Sequence, residues 1–138
     1  MQKIKFSEIT NLDNKKTGIY EIYTNEHIPL KVGISTNIKR RLREHKNSKQ
    51  KYLKIKNHDL PISPNNIKSN QSILAKHLYF DTKIASSFDL TQEKDRKIFL
   101  EEHCYIKFKY TSTIQDARKV EIEKEKEDFR YIGKVKNR

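Results

Sequence analysis

The chain has little with which to cross-link itself or to enter a bilayer. Cys104 is the single cysteine among 138 residues. That excludes a disulfide framework and a cysteine-rich zinc site. Cys104 falls between His103 and Tyr105 in an alternating stretch, and reads as a buried structural thiol. Tryptophan is absent. No run approaches the ~18 apolar residues of a membrane span. Met1 to Ile9 lacks the apolar run of a signal peptide. The expectation is a cytoplasmic protein. No internal repeat is visible.

Positive charge is present in excess. There are 30 Lys+Arg against 18 Asp+Glu, a net charge of +12 and a pI near 9.7. Such a balance asks for a polyanionic partner, nucleic acid before anionic membrane. A length of 138 residues suits one domain, 1–138, that buries its own core.

Residues 1–16 read as a polar lead-in. Thr17 to Thr24, rich in Ile and Tyr, reads as a strand. Asn25-Glu26-His27 is a turn with Pro29 at its exit, and 30–35 is a second strand. Ser35, Thr36 and Asn37 are candidate N-caps for a basic helix from Ile38 to about Asn47. Residues 48–68 are Lys-, Asn- and Ser-rich with Pro61 and Pro64, and read as a loop. Two helical patterns follow, one with Ile73, Leu74, His77 and Leu78, the other from about Thr91 through Glu102. Cys104 to Tyr110 alternates as a third strand. Ser112-x-x-Gln115 has the form of a capping box opening a helix to about Asp128, with Phe129 to Val135 extended beyond it. The expected fold is α/β of the α+β kind: a small three-stranded antiparallel or mixed sheet flanked by helices, its core in 17–48 and 103–137 around an insertion of about 48–102.

Several residues in this order suit attack on a phosphodiester. Tyr20 closes Gly18-Ile19-Tyr20 on the first strand, and Lys31 opens Lys31-Val32-Gly33 on its hairpin partner. The two can lie close together, and a nearby ammonium favours the phenolate. Taken alone, Tyr20 reads as a packing tyrosine and Lys31 as a solvated strand lysine. Arg41 and His45 lie one turn apart beside the apolar stripe of Ile38 and Leu42. A guanidinium can grip a phosphate with two donors, and an imidazole can relay a proton near neutral pH. Arg40 and Arg43 point elsewhere and suit phosphate tracking, as does Lys46. In the second half Glu121 falls within the arc of Ile114, Ala117 and Val120. A core-facing carboxylate needs a cationic partner, such as Arg118 or Lys124, or a metal. Mg²⁺ suits it, taking one or two carboxylates plus substrate phosphate. Asn137 could orient a phosphate or a metal-bound water. In the insertion Lys49, Lys51, Lys54 and Lys56 interleave with Tyr52, Leu53 and Ile55, a mixture suited to nucleic-acid backbone contacts.

Together these elements resemble the GIY-YIG endonuclease family. The resemblance rests on Gly18-Ile19-Tyr20, Lys31-Val32-Gly33, Arg41, His45, the Ala117 to Glu121 stretch and Asn137. It departs at Lys31, where the family's second motif has tyrosine, and there it is similar to a restriction-enzyme-like branch. Tyr131-Ile132-Gly133 lies in the wrong order to replace that motif. The resemblance implies a Mg²⁺-dependent DNA endonuclease of restriction or mobile-element kind, with Mn²⁺ able to substitute and no organic cofactor. Tyr20, Lys31, Arg41, His45, Glu121 and Asn137 would be catalytic, with Glu121 the metal ligand and a homodimer on DNA. An inactive nucleic-acid-binding module of the same fold and a structure-selective repair nuclease are the alternatives.

Overall fold

The structure is a computed structural model that describes residues 1–49, 53–55, 67–69 and 72–131, with 53–55 and 67–69 described by their backbone. It forms two compact units. The first gathers Met1–Arg43 and His103–Arg138, the second Glu44–Glu102.

The first unit is built on a four-stranded sheet of order β1-β6-β2-β3. Its strands are β1 (Gln2–Lys5), β2 (Gly18–Thr24), β3 (Pro29–Ser35) and β6 (Cys104–Tyr110). All three pairings are antiparallel. β2 and β6 carry the Ile, Tyr and Phe that favour a pleated, half-buried surface. The α+β class is as expected, but the sheet has one strand more. Within the supposed lead-in, Gln2–Lys5 pairs with β6. Phe6 and Ile9, in a 3₁₀ turn over Phe6–Asn11, are buried. Alternation of Ile4 between two lysines hid a strand that looks merely polar.

Register divides the sheet into two faces. Tyr20 lies opposite Gly33 and Phe108, and Ile22 opposite Lys31 and Ile106, so these six share a face. Ile19, Glu21, Val32 and Ile34 belong to the other. Helix α4 (Ile114–Glu125) packs on β3 and β2, joining Ile19, Val32, Ala117 and Phe129 in one cluster. The β2–β3 turn is held by Thr24, whose carbonyl takes the His27 N–H at 2.8 Å and whose hydroxyl takes the Ile28 N–H at 3.1 Å. Beyond α4 the Arg130 and Tyr131 amides donate to Pro29 and Leu30 of β3 at 2.9 and 2.8 Å. The extended segment expected from Phe129 is thus seen at its start; 132–135 lie outside the described residues.

α1 runs Ile38–Lys46. Of its three cap candidates Asn37 acts, its Oδ1 accepting the Arg40 amide at 3.1 Å. α4 opens on Thr113 rather than Ser112, because the Thr113 hydroxyl takes the Asp116 amide at 3.1 Å. The second unit holds α2 (Ile73–Phe80), α3 (Glu93–His103, whose last residue falls in the first unit) and a two-stranded antiparallel ribbon of β4 (Leu53–Ile55) and β5 (Ile67–Ser69), where a loop was expected. Leu74, Leu78, Leu90, Phe99 and Leu100 are buried in it. The Arg96 guanidinium is also buried there, donating to the Leu90 and Ser48 carbonyls at 3.1 and 3.3 Å.

Candidate active site

β2 carries Tyr20 toward β3, the last strand of the sheet. A Cβ built on Gly33 would fall within the Tyr20 phenol, closest to its hydroxyl. The ring therefore lies across the Gly33 backbone, and its hydroxyl is directed over the edge strand. Only glycine leaves that room. Gly18 is constrained similarly: a Cβ there would meet the Lys109 carbonyl and the Ile38 side chain.

Lys31 stands two residues before Gly33 on the same face, and is 6% exposed. Reading it as a solvated strand lysine is thereby excluded. Tyr20 is 1% exposed. Both side chains are thus withdrawn from water along the edge strand, where charge interactions are stronger than in bulk solvent. Arg41 is half-buried on α1, while Arg40, Arg43 and Lys49 are exposed, as phosphate-tracking charges would be. Lys46 pairs with Glu101 at 3.7 Å. Lys51, Lys56 and Asn137 lie outside the described residues, and for Lys54 only the strand backbone is described.

His45 sits in the second unit and is wholly buried. Its Nδ1 is hydrogen-bonded to the Ser72 hydroxyl at 2.7 Å, and that hydroxyl also caps α2 by accepting the Ala75 amide at 3.0 Å.

Glu121 is 5% exposed on α4, one turn beyond buried Ala117, as its place in the apolar arc anticipated. α4 packs on the face opposite Tyr20 but mostly against β3. The two faces meet at the outer edge of β3, with Tyr20 on one of them and Glu121 on the helix that covers the other. Among the described residues no group of three or more His, Cys, Asp or Glu could hold a metal alone. A Mg²⁺ here would take Glu121 and fill its sphere with water and phosphate oxygens, as that ion does in phosphoryl-transfer sites. Half-buried Glu125, one turn on, is a second oxygen donor within the same helix.

A residue the sequence reading passed over is Glu21. It is 2% exposed, in the middle of β2. Its Oε1 accepts the Tyr23 hydroxyl at 3.0 Å and its Oε2 pairs with Lys124 of α4 at 3.2 Å. Burial and the neighbouring carboxylate push the Tyr23 phenol well above its usual range. The signal was present: strand alternation puts Glu21 on the same face as Ile19.

The T5orf172 domain model matches residues 17–131. The chain belongs to the T5orf172 domain family. No GIY-YIG model matches, so the GIY-YIG assignment, with its restriction-enzyme-like branch, gives way to this one. The motif glycines that suggested it have packing reasons of their own, since Gly33 admits the Tyr20 ring and Gly18 the Lys109 carbonyl. T5orf172 domains are nuclease-like and DNA-binding in character. No curated protein and no solved structure is detectably similar to the chain. No helix among the described residues is long and apolar enough to cross a membrane.

Proposed function

We propose that this T5orf172 domain is a metal-dependent DNA endonuclease whose site lies along the outer edge of β3. The observation that carries the reading is the Tyr20 phenol laid over Gly33 of the edge strand, with buried Lys31 two residues away on the same face. A tyrosine needed only for packing does not require a neighbouring ammonium out of water. Burying Lys31 costs free energy that an adjacent phenolate and a bound phosphate would recover.

In this reading Tyr20, its phenolate favoured by Lys31, takes a proton from the attacking water. The water oxygen bonds to phosphorus as the bond to the leaving 3′ oxygen breaks, and that oxygen is protonated from solvent. Arg41 holds the non-bridging oxygens and offsets the charge of the transition state. Glu121 would hold Mg²⁺ or Mn²⁺, which would supply Lewis acidity at the phosphate. His45 fixes the end of α1 through Ser72 rather than relaying protons. Basic residues Arg40 and Arg43 track the flanking backbone.

The test is cleavage of plasmid and end-labelled duplex DNA with Mg²⁺, Mn²⁺ or chelator. Metal-dependent cutting is expected, lowered at least ~100-fold by Tyr20→Phe and by Glu121→Ala, the scale on which single transition-state groups act. Salt-sensitive binding with no cutting in any metal would identify a DNA-binding module instead.

A further inference from the structure

α4 packs on β3 and β2, and the same face of β6 and β1 carries lysines instead. Register sets Lys3 directly opposite Lys107 and Lys5 opposite Tyr105. Lys107 is in turn opposite Glu21, and Lys109 opposite Ile19, so all four lysines share that face. Lys3, Lys5 and Lys109 are exposed, and Lys107 is half-buried. Like charges facing each other across an antiparallel pair destabilise it. The chain nevertheless places Lys3 across from Lys107.

Two of these ammoniums are held in place. Lys3 Nζ lies 4.2 Å from the centroid of the Tyr105 ring, and Lys107 Nζ 5.2 Å from that of Tyr23. The two rings stack at 5.3 Å with 6° between their planes. His27 braces the pair through a 2.8 Å hydrogen bond between Nδ1 and the Tyr105 hydroxyl. Cations seated on a rigid aromatic base lose little further freedom when they meet an anion. The nearby carboxylates are engaged: Glu21 with Tyr23 and Lys124, Glu127 with Lys124, and Glu8 with the Lys5 amide at 2.8 Å.

We propose that the lysine face of β1 and β6 is a second nucleic-acid contact, gripping phosphates of the duplex that flanks the β3 edge. It rests on the protein's acting on nucleic acid, not on cleavage. β1 and β3 are three strand spacings apart, about 14 Å. Lysines reaching phosphates carry no base information, so the contact is sequence-independent.

The test is anisotropy titration of a fluorescent duplex in chelator across a salt series. The variant is Lys3→Gln/Lys5→Gln/Lys109→Gln, and the charge-matched control is Lys83→Gln/Lys94→Gln/Lys119→Gln. At ~0.9 per phosphate contact, the slope of log affinity against log salt should fall by about two to three in the variant and stay at the wild-type value in the control. The Arg triple at the same positions should keep the slope. If the Gln triple melts early, Lys109→Gln alone carries the test with a loss of about one. An unchanged slope, or an equal fall in both triples, overturns the proposal. Loss of binding to phosphatidylserine vesicles with an unchanged DNA slope also overturns it and assigns the face to membranes. Absence of cutting leaves this slope intact and counts only against the nuclease reading.

Discussion

Gly33 has a steric role that its place in a tripeptide does not reveal. Its missing side chain is the space the Tyr20 ring fills. Gly33→Ala should push the phenol off the edge strand and cost about 1–3 kcal/mol by overpacking, measured by urea unfolding. Cleavage should fall with it. Adding Tyr20→Phe should cost less than the sum of the two single changes, because the hydroxyl is the closest part of the clash. Strict additivity would mean that the ring does not lie where described. The Glu21–Tyr23 pair gives a pH signature. Tyr23 has its folded pKa raised above the unfolded value of ~10. Its contribution is fully present below that unfolded value and is lost as pH rises toward the folded one. Tyr23→Phe should therefore cost about 1 kcal/mol at neutral pH, with the two stability curves converging in alkali. At this scale the core-facing place of Glu121 was legible. Tyr20, Lys31 and Glu121 were singled out by spacing and helical arc. Glu21 was not, although alternation put it on the core face; it was hidden inside a motif read for its glycine and tyrosine.

Elements were easier to read than their ends. β2, β3, α1 and β6 fall within a residue of where composition and alternation put them, because their cores are long and strongly patterned. Caps depend on single hydrogen bonds, and adjacent Ser112 and Thr113 are alternative N-caps, of which Thr113 takes the Asp116 amide. Thr113→Ala should lower stability by about 1 kcal/mol and Ser112→Ala by almost nothing, read from thermal melts. The reverse order would restore the Ser112 capping box. β1 was missed because three of its four residues are polar or charged and the strand earns its place by pairing with β6 rather than by burial. The β4–β5 ribbon was missed for a related reason: three-residue strands are too short to show a period.

For the whole molecule, charge was the most durable guide. A net charge of +12 called for a polyanion before any fold was known, and the T5orf172 family is DNA-binding in character. The family itself could not be reached from short motifs, because a tripeptide such as Gly18-Ile19-Tyr20 says little about the rest of the chain. The division into two units was only partly visible, since α1 carries residues of both and no break in composition falls at Arg43. At this scale Gln2–Lys5 matters beyond its size, for it closes β6 against becoming an outer strand. Deleting it should yield concentration-dependent association, seen by light scattering, as an uncovered strand templates pairing with another chain.

Cys104 supplies a clock. It is the only thiol, 2% exposed at the start of β6, and burial raises its pKa above the ordinary thiol value. Burial therefore disfavours the reactive thiolate while this end of the β2–β6 pair stays closed. The rate at which a disulfide reagent labels this one sulfur follows the openings of that end, so the breathing of the sheet where Cys104 faces Thr24 can be timed, with and without DNA, in a protein that needs no engineered probe.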